Sequence, residues 1–144
     1  MRVLVQRSKN SYVKVDNKIV GEIDKGYVLL VGFTEGDTYE VINKMIKKIL
    51  NLRILDDEND IMNESILDHK ESILSISQFT LYADTKKGNR PSYINALKNT
   101  EAKVLYEYFN NELSKYIEVQ SGIFGSDMEV HITNDGPVTI MLEI

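Results

Sequence analysis

Gly26 is followed by Tyr27-Val28-Leu29-Leu30-Val31, an unbroken apolar run. A strand with one wet face alternates apolar with polar residues. A short continuous run opened by glycine is instead the pattern of a strand buried on both faces. Around it the sequence is β-rich at both ends. Val3 and Val5 alternate with Leu4 and Gln6, and Tyr12–Val15 and Ile19–Ile23 flank the turn-prone pair Asp16-Asn17, which together read as a β-meander. Asp37 followed by Glu40 fits a capping box, and Val41, Ile42, Met45, Ile46, Ile49 and Leu50 follow at helical spacing, so a first helix is predicted over about 38–52.

Asp56–Asp68 is acidic and weakly periodic and reads as an exposed loop, with an edge strand as the alternative. Ser72–Ser77 is a strand. Ala102, Leu105, Tyr106, Phe109 and Leu113 form the stripe of a second helix that starts after Asn99 or Thr100 and ends near Tyr116. Ile117–Gln120 is a short strand. Met128, Val130 and Ile132, then Val138, Ile140, Leu142 and Ile144, alternate with polar or smaller residues as two half-buried strands, with Asn134-Asp135-Gly136-Pro137 as the turn between them. The order excludes a regularly alternating βαβ array. It predicts one α/β domain over 1–144, with a mostly antiparallel or mixed, barrel-like sheet and two main helices.

The chain has 144 residues, a net charge of −5 and no cysteine. That excludes thiol catalysis, disulfides and cysteine-based metal sites, and two separated histidines, His69 and His131, leave little for other metals, so neither metal nor cofactor is expected. With no membrane-length apolar run and no secretory signal in MRVLVQRSKN, a soluble cytoplasmic protein is expected. Charge is unevenly spread: Lys86–Lys98 holds Lys86, Lys87, Arg90 and Lys98 and no acid. Such a patch suits phosphate if a site lies nearby.

Conventional catalytic motifs (GxSxG, HExxH, a P-loop, GxGxxG) are absent. Three polar or glycine-punctuated segments remain: Ser77-Gln78-Phe79-Thr80 before Tyr82-Ala83-Asp84, Gly122-Ile123-Phe124-Gly125 leading to Met128, and Asn134-Asp135-Gly136-Pro137-Val138-Thr139. Each alone reads as loop chemistry. In this order, with the opening MRVLVQR and Lys87-Gly88-Asn89-Arg90-Pro91-Ser92, they resemble the D-aminoacyl-tRNA deacylases along the whole chain. Ser126 departs slightly, standing where a smaller residue is expected beside Gly125.

The resemblance implies hydrolysis of the ester joining a D-amino acid, or glycine mischarged on tRNA-Ala, to tRNA. It also implies a homodimer in which a cis Gly136-Pro137 peptide enters the partner's site and rejects L-amino acids. Ser77, Gln78, Phe79 and Thr80 would line the pocket, Arg7 would brace the Gly-Pro loop, and Phe124 and Met128 would contact the terminal adenosine. Lys86, Lys87 and Arg90 would meet tRNA phosphates. Either Thr80 is a nucleophile or the ribose 2′-hydroxyl assists water; no histidine or lysine beside Thr80 in sequence can take its proton, which favours the second. The alternatives are a deacylase for mischarged L-aminoacyl-tRNA and a non-catalytic RNA-binding dimer module.

Overall fold

The computed structural model describes residues 1–144. Asp16 and Asn17 both adopt left-handed dihedrals, φ 49° and 61°. Two such residues make the turn whose twist matches paired strands, so β1 (Arg2–Val15) and β2 (Lys18–Gly32) form one long antiparallel hairpin in place of the expected short meander. Gly26 does not break β2. Its φ is 140° and a Cβ there would overlap the Ser72 carbonyl oxygen, so this glycine lets β5 (Ser72–Ser77) come alongside. From Gly26–Ser72 to Val31–Ser77 the two strands pair in parallel.

The remaining strands are β6 (Val119–Ser121), parallel to β5, and β7 (Glu129–Glu143), antiparallel to β1. The sheet order is β6-β5-β2-β1-β7. β6 and β7 are its two edges, so the sheet is mixed as predicted but open, and the barrel-like closure does not occur. Two crossovers, β2 to β5 and β5 to β6, step the same way across the sheet. Right-handed crossovers that do so place their helices on one face. α1 (Tyr39–Leu50) and α3 (Asn99–Leu113) accordingly share one core.

That core holds Val3, Val5, Tyr27, Leu29, Val31 and Ile73 from the sheet against Ile42, Met45, Ile49, Phe109 and Leu113 from the helices. Val28, Leu74 and Ile76 point the other way and join Val13 and Ile23 in a smaller cluster. The Tyr27–Val31 strand therefore has apolar neighbours on both faces. On the helix-free face Leu30, Met128, Val130 and Ile132 are only half-covered, and Met141 is exposed.

Two local expectations are corrected. Asp37 does not cap α1: Thr38 is the N-cap, its hydroxyl accepting from the Val41 amide at 3.4 Å, while the Asp37 carboxylate takes the Met1 ammonium at 2.6 Å and the Thr34 amide at 2.8 Å. An ammonium outbids a helix amide for a nearly buried carboxylate. The acidic stretch is no open loop either. β3 (Arg53–Asp56) and β4 (Met62–Ser65) form a two-stranded sheet followed by the short α2 (Ile66–His69), because Ile54, Leu55 and Ile66 are drawn into the main core. No helix is long and apolar enough to cross a membrane.

Gly26→Ala combines a strained φ with a backbone overlap. It is expected to destabilise the protein by more than about 2 kcal/mol, read as a lower urea midpoint with unchanged slope. A midpoint equal to wild type would show that β5 can shift freely.

Candidate active site

β5 leaves the sheet at Ser77. The Gln78 amide still donates to the Val31 carbonyl at 2.7 Å, and then the chain coils into a 3₁₀ turn, Phe79–Tyr82. It can do so because Gly32 lies beneath: a Cβ there would stand 2.9 Å from the Gln78 carbonyl oxygen and 3.2 Å from the Leu81 Cβ. Between this turn, the start of α3 and the loop before β7 lies a cleft of about 320 Å³. Ser77, Gln78 and Phe79 line one part of it and Phe124 and Met128 another. Gly122 makes room for Met128, whose sulfur a Cβ would overlap.

The lining contains no histidine, lysine or arginine, and Asp127 is its only ionisable side chain. Thr80 lies just outside the lining; its hydroxyl accepts a hydrogen bond from the Gln78 side-chain amide. Phe79 and Thr80 open the 3₁₀ turn, where amides have no acceptor within the helix, and no loop or cap hydrogen bond takes them. The site thus offers backbone donors and apolar walls, with no base poised beside a hydroxyl.

A second constellation lies elsewhere on the chain. Asn134–Pro137 is not a turn between two strands. Gln6 pairs with Thr139 but Ser8 with Asn134, so β7 continues past a bulge in which it spends three more residues than β1. The bulge contains a cis Gly136-Pro137 peptide and both residues are exposed. Arg7, nearly buried, faces it: Nε donates to the Asp135 carbonyl at 3.2 Å, and Nη1 donates to the Ile54 carbonyl at 3.1 Å and to the Asp56 carboxylate at 3.0 Å. Lys9 donates to the Asp135 carboxylate at 3.0 Å and holds that carboxyl below the usual carboxylate range. The Asn134 side chain closes the bulge from within, accepting from the Val138 amide at 3.2 Å and donating to the Thr139 hydroxyl at 2.8 Å. Gly136 has φ 118°, and a Cβ there would lie 2.9 Å from Val138 Cγ2 and 3.0 Å from Arg7 Nη2.

None of Arg7, Gly136 and Pro137 lines the cleft of their own chain. Lys86, Lys87 and Arg90 do not line it either; they sit on an exposed excursion closed by reciprocal Asp84–Ser92 backbone hydrogen bonds of 2.8 and 2.9 Å, and none forms an ion pair. His131 stacks on Tyr12 at 4.4 Å and His69 lies 2.6 Å from Glu64, both away from the cleft. Sequence reading missed Asp56 and the Ile54 carbonyl as partners of Arg7, and Gly32, Leu97 and Asn99 as cleft walls. No local signal marks them, since each acquires its neighbours only through long-range packing.

A family model described as D-Tyr-tRNA(Tyr) deacylase matches residues 4–143. A D-aminoacyl-tRNA deacylase from Sulfurihydrogenibium sp. (strain YO3AOP1) is 54% identical over 143 residues, 99% of this chain and 97% of that protein. Among solved structures, the c-Myc DNA Unwinding Element Binding Protein superposes with a TM-score of 0.95 at 38% identity, covering 100% of this chain and 99% of that one. A probable eukaryotic D-amino acid tRNA deacylase shares the fold, with a TM-score of 0.84 at 19% identity over 99% of this chain and 98% of that one. These matches define a hydrolase acting on the ester bond of aminoacyl-tRNA. The chain belongs to the D-aminoacyl-tRNA deacylase family.

Arg7 makes directional bonds to acceptors on both β3 and the bulge, which a lysine cannot reproduce. Arg7→Lys is expected to cost about 2 kcal/mol of stability and to lower kcat/KM more than tenfold. Wild-type kinetics in a correctly folded Arg7→Lys protein would show that the bulge needs no brace.

Proposed function

We propose that the protein is a cytoplasmic chiral-proofreading enzyme: a homodimer that hydrolyses D-aminoacyl-tRNA, and glycine mischarged on tRNA-Ala, to free amino acid and tRNA. The observation that carries this reading is the separation within one chain of the cleft, whose only ionisable side chain is Asp127, from the braced, exposed Gly136-Pro137 bulge. A second copy reconciles the two, by bringing its bulge to the cleft across the half-covered sheet face that bears Leu30, Val130, Ile132 and Met141. Backbone carbonyls of the bulge then accept from the substrate ammonium and occupy the volume an L side chain needs. Glycine has no side chain and passes the same filter.

In the cleft, the Phe79 and Thr80 amides polarise the ester carbonyl and stabilise the oxyanion. Ser77 and Gln78 shape the pocket around the amino acid, while Phe124 and Met128 pack on the terminal adenosine. Water adds to the carbonyl carbon and the bond to the ribose oxygen breaks, that oxygen leaving with a proton. The neighbouring ribose 2′-hydroxyl assists the water. Thr80 is not the nucleophile in this reading, because its hydroxyl is engaged by Gln78 and donates to no base. Lys86, Lys87 and Arg90 meet phosphates of the acceptor end.

Thr80→Ala is expected to keep more than about a tenth of wild-type turnover, whereas a tRNA ending in 2′-deoxyadenosine with the D-amino acid on its 3′-oxygen should bind and hydrolyse very slowly. Fast hydrolysis of the deoxy substrate, or a trappable acyl-protein, would overturn the RNA-assisted step. Preference for L-aminoacyl-tRNA would point to the L-specific relatives, and binding without turnover to an RNA-binding module. Sedimentation at micromolar concentration should give twice the 16.5 kDa chain mass; a monomer that still discriminates D from L would exclude selection in trans.

A further inference from the structure

We infer that Tyr93, at the mouth of the cleft, is a stacking residue for an unpaired nucleotide of the tRNA that precedes the terminal adenosine. The inference deepens the tRNA-deacylase reading and rests on it. Phe79 lines the cleft yet leaves half of its surface, 50%, in water, and Tyr93 packs edge-on against it with ring centroids 5.0 Å apart at 69°. Tyr93 is itself 41% exposed, and its neighbour Ile94 is 85% exposed. The apolar lining of the cleft therefore continues outward onto an open aromatic surface.

The backbone under that surface is fixed. Ser92 is paired with Asp84 on one side of Tyr93, and on the other the Ala96 amide donates to the Tyr93 carbonyl at 3.0 Å, the Leu97 amide to the Phe33 carbonyl at 2.9 Å and the Thr34 hydroxyl to the Asn95 carbonyl at 2.6 Å. A ring held open on an ordered backbone is pre-organised for a flat partner and loses little freedom on binding. Charge then selects the partner. Between Thr85 and Thr100 there is no acid, and Lys86, Lys87, Arg90 and Lys98 are unpaired, although the chain carries −5 overall. An exposed aromatic among unpaired cations, continuous with a cleft, is the arrangement that binds single-stranded nucleic acid: bases stack while the cations follow the phosphates. A second copy apposed through this same surface fits less well, since it would bring the same positive charge.

The test compares kcat/KM for D-aminoacyl-tRNA with that for D-aminoacyl-adenosine, which lacks the preceding nucleotide. Tyr93→Leu is expected to reduce the advantage of tRNA about tenfold through KM, as loss of one stacked base would, and Tyr93→Phe to restore it. An undiminished advantage, or equal losses on both substrates, overturns the proposal. So does a monomeric Tyr93→Leu protein, which would make this surface a contact between copies. Independently of any variant, an RNA minihelix carrying 2-aminopurine just before the terminal adenosine should be quenched on binding wild type; unquenched binding overturns the proposal too. Wild-type protein inert towards every D-aminoacyl-tRNA would sink the deacylase reading instead, and the quenching would still decide the stacking.

Discussion

β2 is the reference to which the rest of the molecule is built. It pairs along its length with β1, and over Gly26–Val31 it pairs in parallel with β5 on its other side. Its side chains serve two clusters, Tyr27, Leu29 and Val31 one, Val28 the other. Displacing it would expose apolar surface on both faces at once, at about 25 cal/mol per Å². The site inherits this rigidity. Ser77 sits opposite Val31, Gln78 donates to Val31, and Gly32 gives the 3₁₀ turn its bed, so the cleft is set by the buried last residues of β2.

The same topology leaves one face of the sheet bare. Both parallel crossovers step in one direction, and chirality sends both helices to one side. The two faces therefore have different fates: one becomes the core, and the other remains a half-apolar surface suited to a partner.

Arg7 links parts of the chain that share no sequence neighbourhood. Residues 54 and 56 come from the small hairpin, 135 from the bulge, and 7 from the strand beneath. A planar, permanently charged donor can satisfy carbonyls on both elements along with a carboxylate, which fixes the bulge more firmly than apolar contact could. Asn134 supplies the corresponding internal clasp. Both devices hold the backbone of the bulge in place.

Local patterns announced what depends on near neighbours. The Tyr27–Val31 run, the helical stripes from Val41 to Leu50 and Ala102 to Leu113, and the Asp16-Asn17 turn are visible in the sequence because periodicity and turn chemistry act over a few residues. The motifs SQFT and NDGPVT were visible too, as were the missing cysteines. What the sequence could not announce was decided by pairing at a distance. Asp37 lost its capping role to an ammonium brought from the other end of β1, the acidic stretch became a hairpin once Ile54, Leu55 and Ile66 entered the core, and the apparent turn at Asn134–Pro137 became a bulge because β1 runs on past both of its ends. Register, and with it the open edge of the sheet and the separation of cleft from bulge, belongs to the tertiary structure alone. It is settled by which strands bury each other, and no window of neighbouring residues contains that information.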